Sequence, residues 1–126
     1  MKRSIALGIL ALFFVVAGLN HFLTPGPYIR MMPPWLPWHS ELVWISGVAE
    51  MLGGLGILIP RLRRAAGWGL IALLVAVFPA NLQVALHGWE GVNIPAWALW
   101  VRLPLQALLI AWVYFVCVKK QNVKAR

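Results

Sequence analysis

Long apolar runs alternate with short polar or proline-rich breaks along the whole chain, and that alternation predicts four helices. The first run extends from about residue 4 to 23, the second from 42 to 59, the third from 65 to 86 and the fourth from 97 to 118. Each is close to the roughly 20 residues that an α-helix needs to cross a hydrocarbon core. The expectation is an all-α integral membrane four-helix bundle, built as a single domain over residues 1–126.

The connections differ in character. Residues 24–41 contain five prolines (Pro25, Pro27, Pro33, Pro34 and Pro37), so no long helix can pass through them. Tyr28, Met31, Met32, Trp35, Leu36 and Trp38 are interleaved, and Tyr and Trp favour the headgroup region of a bilayer. This reads as an interfacial loop with a short helical turn around Tyr28 to Met32, and it could cover a space between the helices. The second connection is the basic turn RLRR, and the third is the polar turn HGWEGVNIP. Within the third run Pro79 removes a backbone donor and crowds the carbonyl of Val75, which predicts a kink.

Composition agrees with the pattern. The chain is 62% hydrophobic and 11% charged, against about 25% charged in a soluble domain. The net charge of +8 is topological in its distribution. Nine of the eleven Lys and Arg residues lie in the N-terminus, the Arg61–Arg64 turn and the tail KKQNVKAR. By the positive-inside rule both termini face the cytoplasm, which gives a multi-pass protein of the cytoplasmic membrane. The same distribution argues against nucleic acid as a partner; the expected partner is the lipid bilayer. The first apolar run is long for a signal-peptide core and no polar mature domain follows it, so an uncleaved helix is expected. One cysteine, Cys117, allows neither an internal disulfide nor dithiol chemistry. Three histidines without fixed spacing do not form a metal motif, and no metal site is expected.

The polar residues within the runs carry the chemistry. At about 1.5 Å per residue, His21 lies a few Å inside the outer boundary, Arg102 and Asn81 about 6–8 Å, and Gln106 and Glu50 about 12–13 Å. Every helix contributes, all to the outer half. Gly47, Glu50 and Gly54 share one helical face, Ala49 and Gly53 the adjoining one, and Gly18 and His21 another. Small residues there allow close helix approach or leave room for a ligand. Arg102 and Gln106 are one turn apart, with Pro104 between them exposing the carbonyl of Trp100. Glu50 is the only acidic residue inside a run, so Arg102 is its expected partner. Three roles stay open for Glu50: an interhelical lock with Arg102, a protonated donor to a neighbouring helix, or a ligand contact. Asn81 in turn either satisfies a carbonyl released by the kink or belongs to the same site.

Several segments together resemble a known family. They are Asn20-His21-Phe22 with Tyr28, the run PPWLP, then SGVAEMLGGLG around Glu50, Pro79-Ala80-Asn81, and RLPLQ from Arg102 to Gln106. In this order, between about Phe14 and Tyr114, they are similar to the DoxX-like family of small four-helix membrane proteins. The family takes its name from a subunit associated with thiosulfate:quinone oxidoreductase. The resemblance implies a redox-associated subunit that binds a quinone or another small amphiphile, with a membrane redox partner or self-association. It points to Glu50, Arg102, Asn81, Gln106, His21 and Asn20 as ligand-binding candidates, under a cover of Tyr28, Met32, Trp35 and Trp38. No self-contained catalytic motif marks the chain as an enzyme on its own. The alternative is a non-catalytic assembly module whose polar cluster only fixes helix packing.

Overall fold

A computed structural model describes residues 2–119, whose regular elements are all helices, with no strand among them. The basic tail after Lys119 lies outside the described residues. Helix α1 is Arg3–Leu23, the short α2 is Pro25–Arg30, and α3 is His39–Gly56. Helices α4 (Arg63–Ala76) and α5 (Phe78–His87) form one interrupted rod. Helix α6, Ala96–Val113, continues as a π-helical turn over Tyr114–Val118. The described residues therefore make four rods: α1, α3, α4–α5 and α6 with its π-helical end.

Local chemistry explains the boundaries. Thr24 ends α1, and Pro25 opens α2 at a first-turn position where a missing N–H costs nothing. Trp38 adopts φ 56°, the left-handed conformation, which turns the chain into α3. Consequently α3 starts at His39, three residues before the expected start of its run. The kink expected near Pro79 is a full interruption at Val77, with Pro79 in the first turn of α5. Pro104, in contrast, sits inside α6 without ending it.

Helices α1 and α3 approach most closely. A Cβ on Gly18 would lie 2.5 Å from the Gly47 carbonyl oxygen, and one on Gly47 would lie 2.9 Å from the Gly18 carbonyl oxygen. Only glycine at both positions permits this contact between backbones. Helix α3 then packs on α4, α4 on α6 and its π-helical end, and α1 on that same end. The last contact is pinned by Arg3, whose Nε donates to the Val116 carbonyl at 2.9 Å.

Two apolar clusters result. The larger fills the half of the bundle nearest the Arg61–Arg64 turn and includes Leu10, Phe14, Ile57, Leu70, Val113 and Cys117. The smaller, Met31, Ala80, Val84 and Leu99, lies toward the opposite end, under Tyr28 and Trp89. There α2 is latched to the α5–α6 loop by two bonds. Trp89 Nε1 donates to the Pro27 carbonyl at 2.8 Å, and Arg30 Nε donates to the Glu90 carbonyl at 2.9 Å.

The outward faces are apolar. Leu12, Ile45, Leu52, Leu105 and Leu108 are all exposed, whereas His21, Asn81 and Gln106 are buried. Three helical segments, Arg3–Leu23, Arg63–His87 and Ala96–Val118, are long and apolar enough to cross a membrane. Helix α3 is not among them, because its 18 residues include His39, Glu41 and Glu50.

Candidate functional site

A cavity of about 330 Å³ separates the two apolar clusters. Its wall takes Leu74 from the larger and Met31 and Ala80 from the smaller. All four rods line it. Helix α1 contributes Phe13 and His21, α3 contributes Val43, Ser46 and Glu50, α4–α5 contributes Val77 and Asn81, and α6 contributes Arg102, Leu105 and Gln106. Tyr28 and Met32 line it from the α2 side. Phe13 and Leu105 are 50% and 55% exposed, and α1 packs on the last rod chiefly through its π-helical end. The cavity accordingly opens sideways, between α1 and α6, onto the apolar belt.

On the α1 side, His21 Nδ1 lies 2.7 Å from the Ala17 carbonyl oxygen. A carbonyl only accepts, so Nδ1 carries the proton. The imidazole stacks on Tyr28, with ring centroids 4.0 Å apart and planes 15° from parallel. Tyr28 is held in turn by Asn20, whose Nδ2 donates to the phenol oxygen at 2.7 Å. Thr24 Oγ1 donates to Asn20 Oδ1 at 2.9 Å, which fixes the orientation of that amide. Asn20 thus stands behind the site rather than in its wall.

Glu50 meets His21 and not Arg102. Its Oε2 lies 3.3 Å from His21 Nδ1, but that proton is already directed at Ala17, and Oε2 is buried without a hydrogen bond. The expected Glu50–Arg102 ion pair is not formed. Arg102 instead donates from Nη2 to Asn81 Oδ1 at 3.1 Å, and its guanidinium carbon lies 4.8 Å from the centre of the Trp89 ring. Its Nη1 is buried without a partner. The two side chains approach the same cavity from different rods, and neither is satisfied by the other.

Asn81 and Gln106 complete that wall. Asn81 Nδ2 donates to Gln106 Oε1, and Gln106 Nε2 donates to the Leu74 carbonyl. Leu74 lies in the last turn of α4, where carbonyls lack helical donors. The group that answers the interruption is therefore Gln106 from another helix, not Asn81.

Of the residues expected at the site, Glu50, Arg102, Asn81, Gln106, His21, Tyr28 and Met32 line the cavity. Trp35 and Trp38 do not; they are 70% and 71% exposed on the outside of their loop. Sequence reasoning did not single out Phe13, Ser46 or Trp89. Nothing in the local pattern marks Phe13 or Ser46, and Trp89 stood only as part of the polar turn HGWEGVNIP. Among the described residues no group of three or more His, Cys, Asp or Glu side chains could hold a metal ion.

These observations define a class: a small all-helical protein, apolar outside, with a laterally open polar cavity in one half. A family model described as a domain of unknown function, DUF8561, matches residues 10–117, and the chain belongs to that family. No curated protein and no solved structure matches it.

Proposed function

We propose that the protein is a multi-pass protein of the cytoplasmic membrane, of the DoxX-like type, with both termini in the cytoplasm. In this reading it is a redox-associated subunit, and its outer-half cavity binds a quinone or another small amphiphile. The exposed leucines of all four rods and the three long apolar segments support membrane embedding. The basic Arg61–Arg64 turn supports the orientation.

The observation that carries the binding reading is the pair of unsatisfied atoms. Glu50 Oε2 and Arg102 Nη1 are both buried without partners in residues that line one cavity. Burying such atoms without partners costs free energy, which favours an occupant that draws them into hydrogen bonds. A sideways mouth admits a molecule dissolved in the bilayer, and about 330 Å³ lies within the usual range for ligand pockets. The direct test is mass spectrometry of protein purified in mild detergent. A co-purifying quinone or lipid that is lost from Glu50→Gln and Arg102→Ala is the expected result. A wild-type protein without one, or retention unchanged in both variants, refutes the reading.

A second reading, a non-catalytic assembly module, is favoured by one observation. The Arg102–Asn81–Gln106–Leu74 chain is a continuous run of hydrogen bonds between protein groups and joins α6 to α4–α5. That reading predicts that Gln106→Leu destabilises the protein by breaking the chain, while Glu50→Leu, which lies outside it, leaves the protein folded and functional.

A further inference from the structure

The chain has eleven Lys and Arg residues against three acidic ones, and the imbalance is concentrated at one end of the bundle. Glu41 lies in the first turn of α3 and Glu90 in the α5–α6 loop, both at the end that holds α2. The opposite end, at the Arg61–Arg64 turn, has no acidic residue among those described. Three rods meet there. Helix α1 starts with Lys2 and Arg3, and Arg3 is joined to the π-helical end of α6 through the Val116 carbonyl. A Cβ on Gly67 would lie 2.8 Å from Cys117 Cβ, so the start of α4 lies against the same end.

The turn uses one of its arginines and leaves two. Arg63 Nε donates to the Ile57 carbonyl at 2.7 Å and its Nη2 to the Leu58 carbonyl at 3.4 Å, which closes the end of α3. Arg61 and Arg64 are exposed, and neither makes a hydrogen bond or ion pair with another described side chain. Backbone bonds from Leu58 to Leu55, Ile59 to Gly56 and Leu62 to Ile59 hold the turn tight. With no carboxylate at this end, the charge of the two arginines is met from outside the chain. The neighbouring side chains indicate by what. Leu58, Ile59 and Leu62 are 47%, 47% and 50% exposed in the same turn, and Trp68, one turn beyond Arg64, is 49% exposed. A face for a dissolved polyanion would be polar between its cations. Here apolar side chains alternate with them, the arrangement of a bilayer interface, with the indole at the boundary and the guanidinium at phosphate level.

We infer that the Arg61–Arg64 turn docks the headgroups of anionic phospholipids. Arg61 and Arg64 hold the phosphate, and Leu58, Ile59, Leu62 and Trp68 seat the start of the acyl chains. The inference rests on the reading of the protein as a membrane protein and is independent of what fills the cavity. A guanidinium presents its donors in a fork that matches phosphate oxygens, so the arginines add geometry to charge. A zwitterionic lipid carries its own quaternary ammonium beside the phosphate, which the arginines repel; an anionic lipid does not.

The test immobilises the affinity-tagged full chain in mild non-ionic micelles containing equal amounts of phosphatidylglycerol and phosphatidylcholine with the same acyl chains. Retained lipid is quantified by mass spectrometry. The expected result is about tenfold enrichment of phosphatidylglycerol, within what two cations beside an anionic headgroup supply. The enrichment should fall toward one at about 1 M salt, where the Debye length is about 3 Å. It should fall likewise when Arg61→Gln and Arg64→Gln are combined. A wild-type ratio near one, or an enrichment unchanged by salt or by the double substitution, overturns the inference. So does an enrichment abolished by millimolar inorganic phosphate, which would assign the arginines to a free anion. Equal retention of both lipids leaves the membrane reading in place, whereas a chain that stays dispersed without detergent and retains neither lipid removes both. Both side chains are exposed, so the variant should keep the wild-type circular dichroism, and the salt arm needs no variant.

Discussion

His21 on α1 brings its Nδ1 to 3.3 Å from Glu50 Oε2 on α3, and the contact exists because Gly18 and Gly47 let the two backbones touch. Replacing either glycine with alanine sets a Cβ within 2.9 Å of a carbonyl oxygen that belongs to the other helix. Overpacking of this kind costs about 1–3 kcal/mol. Gly18→Ala and Gly47→Ala are expected to lower the thermal unfolding midpoint in detergent, followed by circular dichroism. Gly8→Ala is the control, since its Cβ would meet nothing within 4 Å, and it should unfold with the wild type.

Gln106 joins two rods through one carbonyl and one amide. Gln106→Leu leaves the Leu74 carbonyl and an Asn81 donor unmet in a buried setting, at a cost of about 1–3 kcal/mol. Asn81→Leu should cost a similar amount. Because both act through one network, the double variant should lose clearly less than the sum of the singles. Strict additivity in a double-mutant cycle would count against a coupled network.

Trp38 is the one residue other than glycine with positive φ among those described, at 56°. The left-handed region costs a residue with a Cβ roughly 1–2 kcal/mol. Trp38→Gly should therefore raise stability by about 1 kcal/mol, whereas Trp35→Gly, in the same exposed loop, should not. Chemical denaturation in a fixed detergent reads the difference. Loss of stability at position 38 would mean that the indole itself contributes more than the backbone strain costs.

The proposed orientation predicts an asymmetric labelling pattern. Cys117 is buried, and its replacement by serine clears the background for introduced thiols. In intact cells Glu90→Cys should react with a membrane-impermeant maleimide, and Arg61→Cys should react only after permeabilisation. The reverse pattern would invert the topology, and equal labelling of both would argue against a single orientation.

Much of this architecture is legible in the chain itself. Helices recur where apolar runs recur, because an extended run without polar interruptions has few other ways to satisfy its backbone. The turn and kink positions follow from proline: Pro25 opens α2, and Pro79 accompanies the interruption at Val77. Part of the cavity wall was also readable. Glu50, Asn81, Arg102 and Gln106 are polar residues inside apolar runs, and such side chains turn toward one another when the outside is apolar, although Gln83, polar and inside the third run, does not line the cavity. The spacing of Gly18 beside His21 and of Gly47 beside Glu50 left open whether these small residues served close helix packing or a ligand.

The partners were decided only by the tertiary structure. Depth along an axis places Glu50 and Gln106 at the same level, but it says nothing of which rods are neighbours or how each is rotated. Contact between the backbones at Gly18 and Gly47 turns Glu50 toward His21. The interruption at Val77 leaves the Leu74 carbonyl to Gln106, which orients Asn81 toward Arg102. The pairing that charge alone suggests, Glu50 with Arg102, is replaced by a cavity between them. Periodicity within a helix determines which residues face inward; the distance and rotation between helices determine which of them meet.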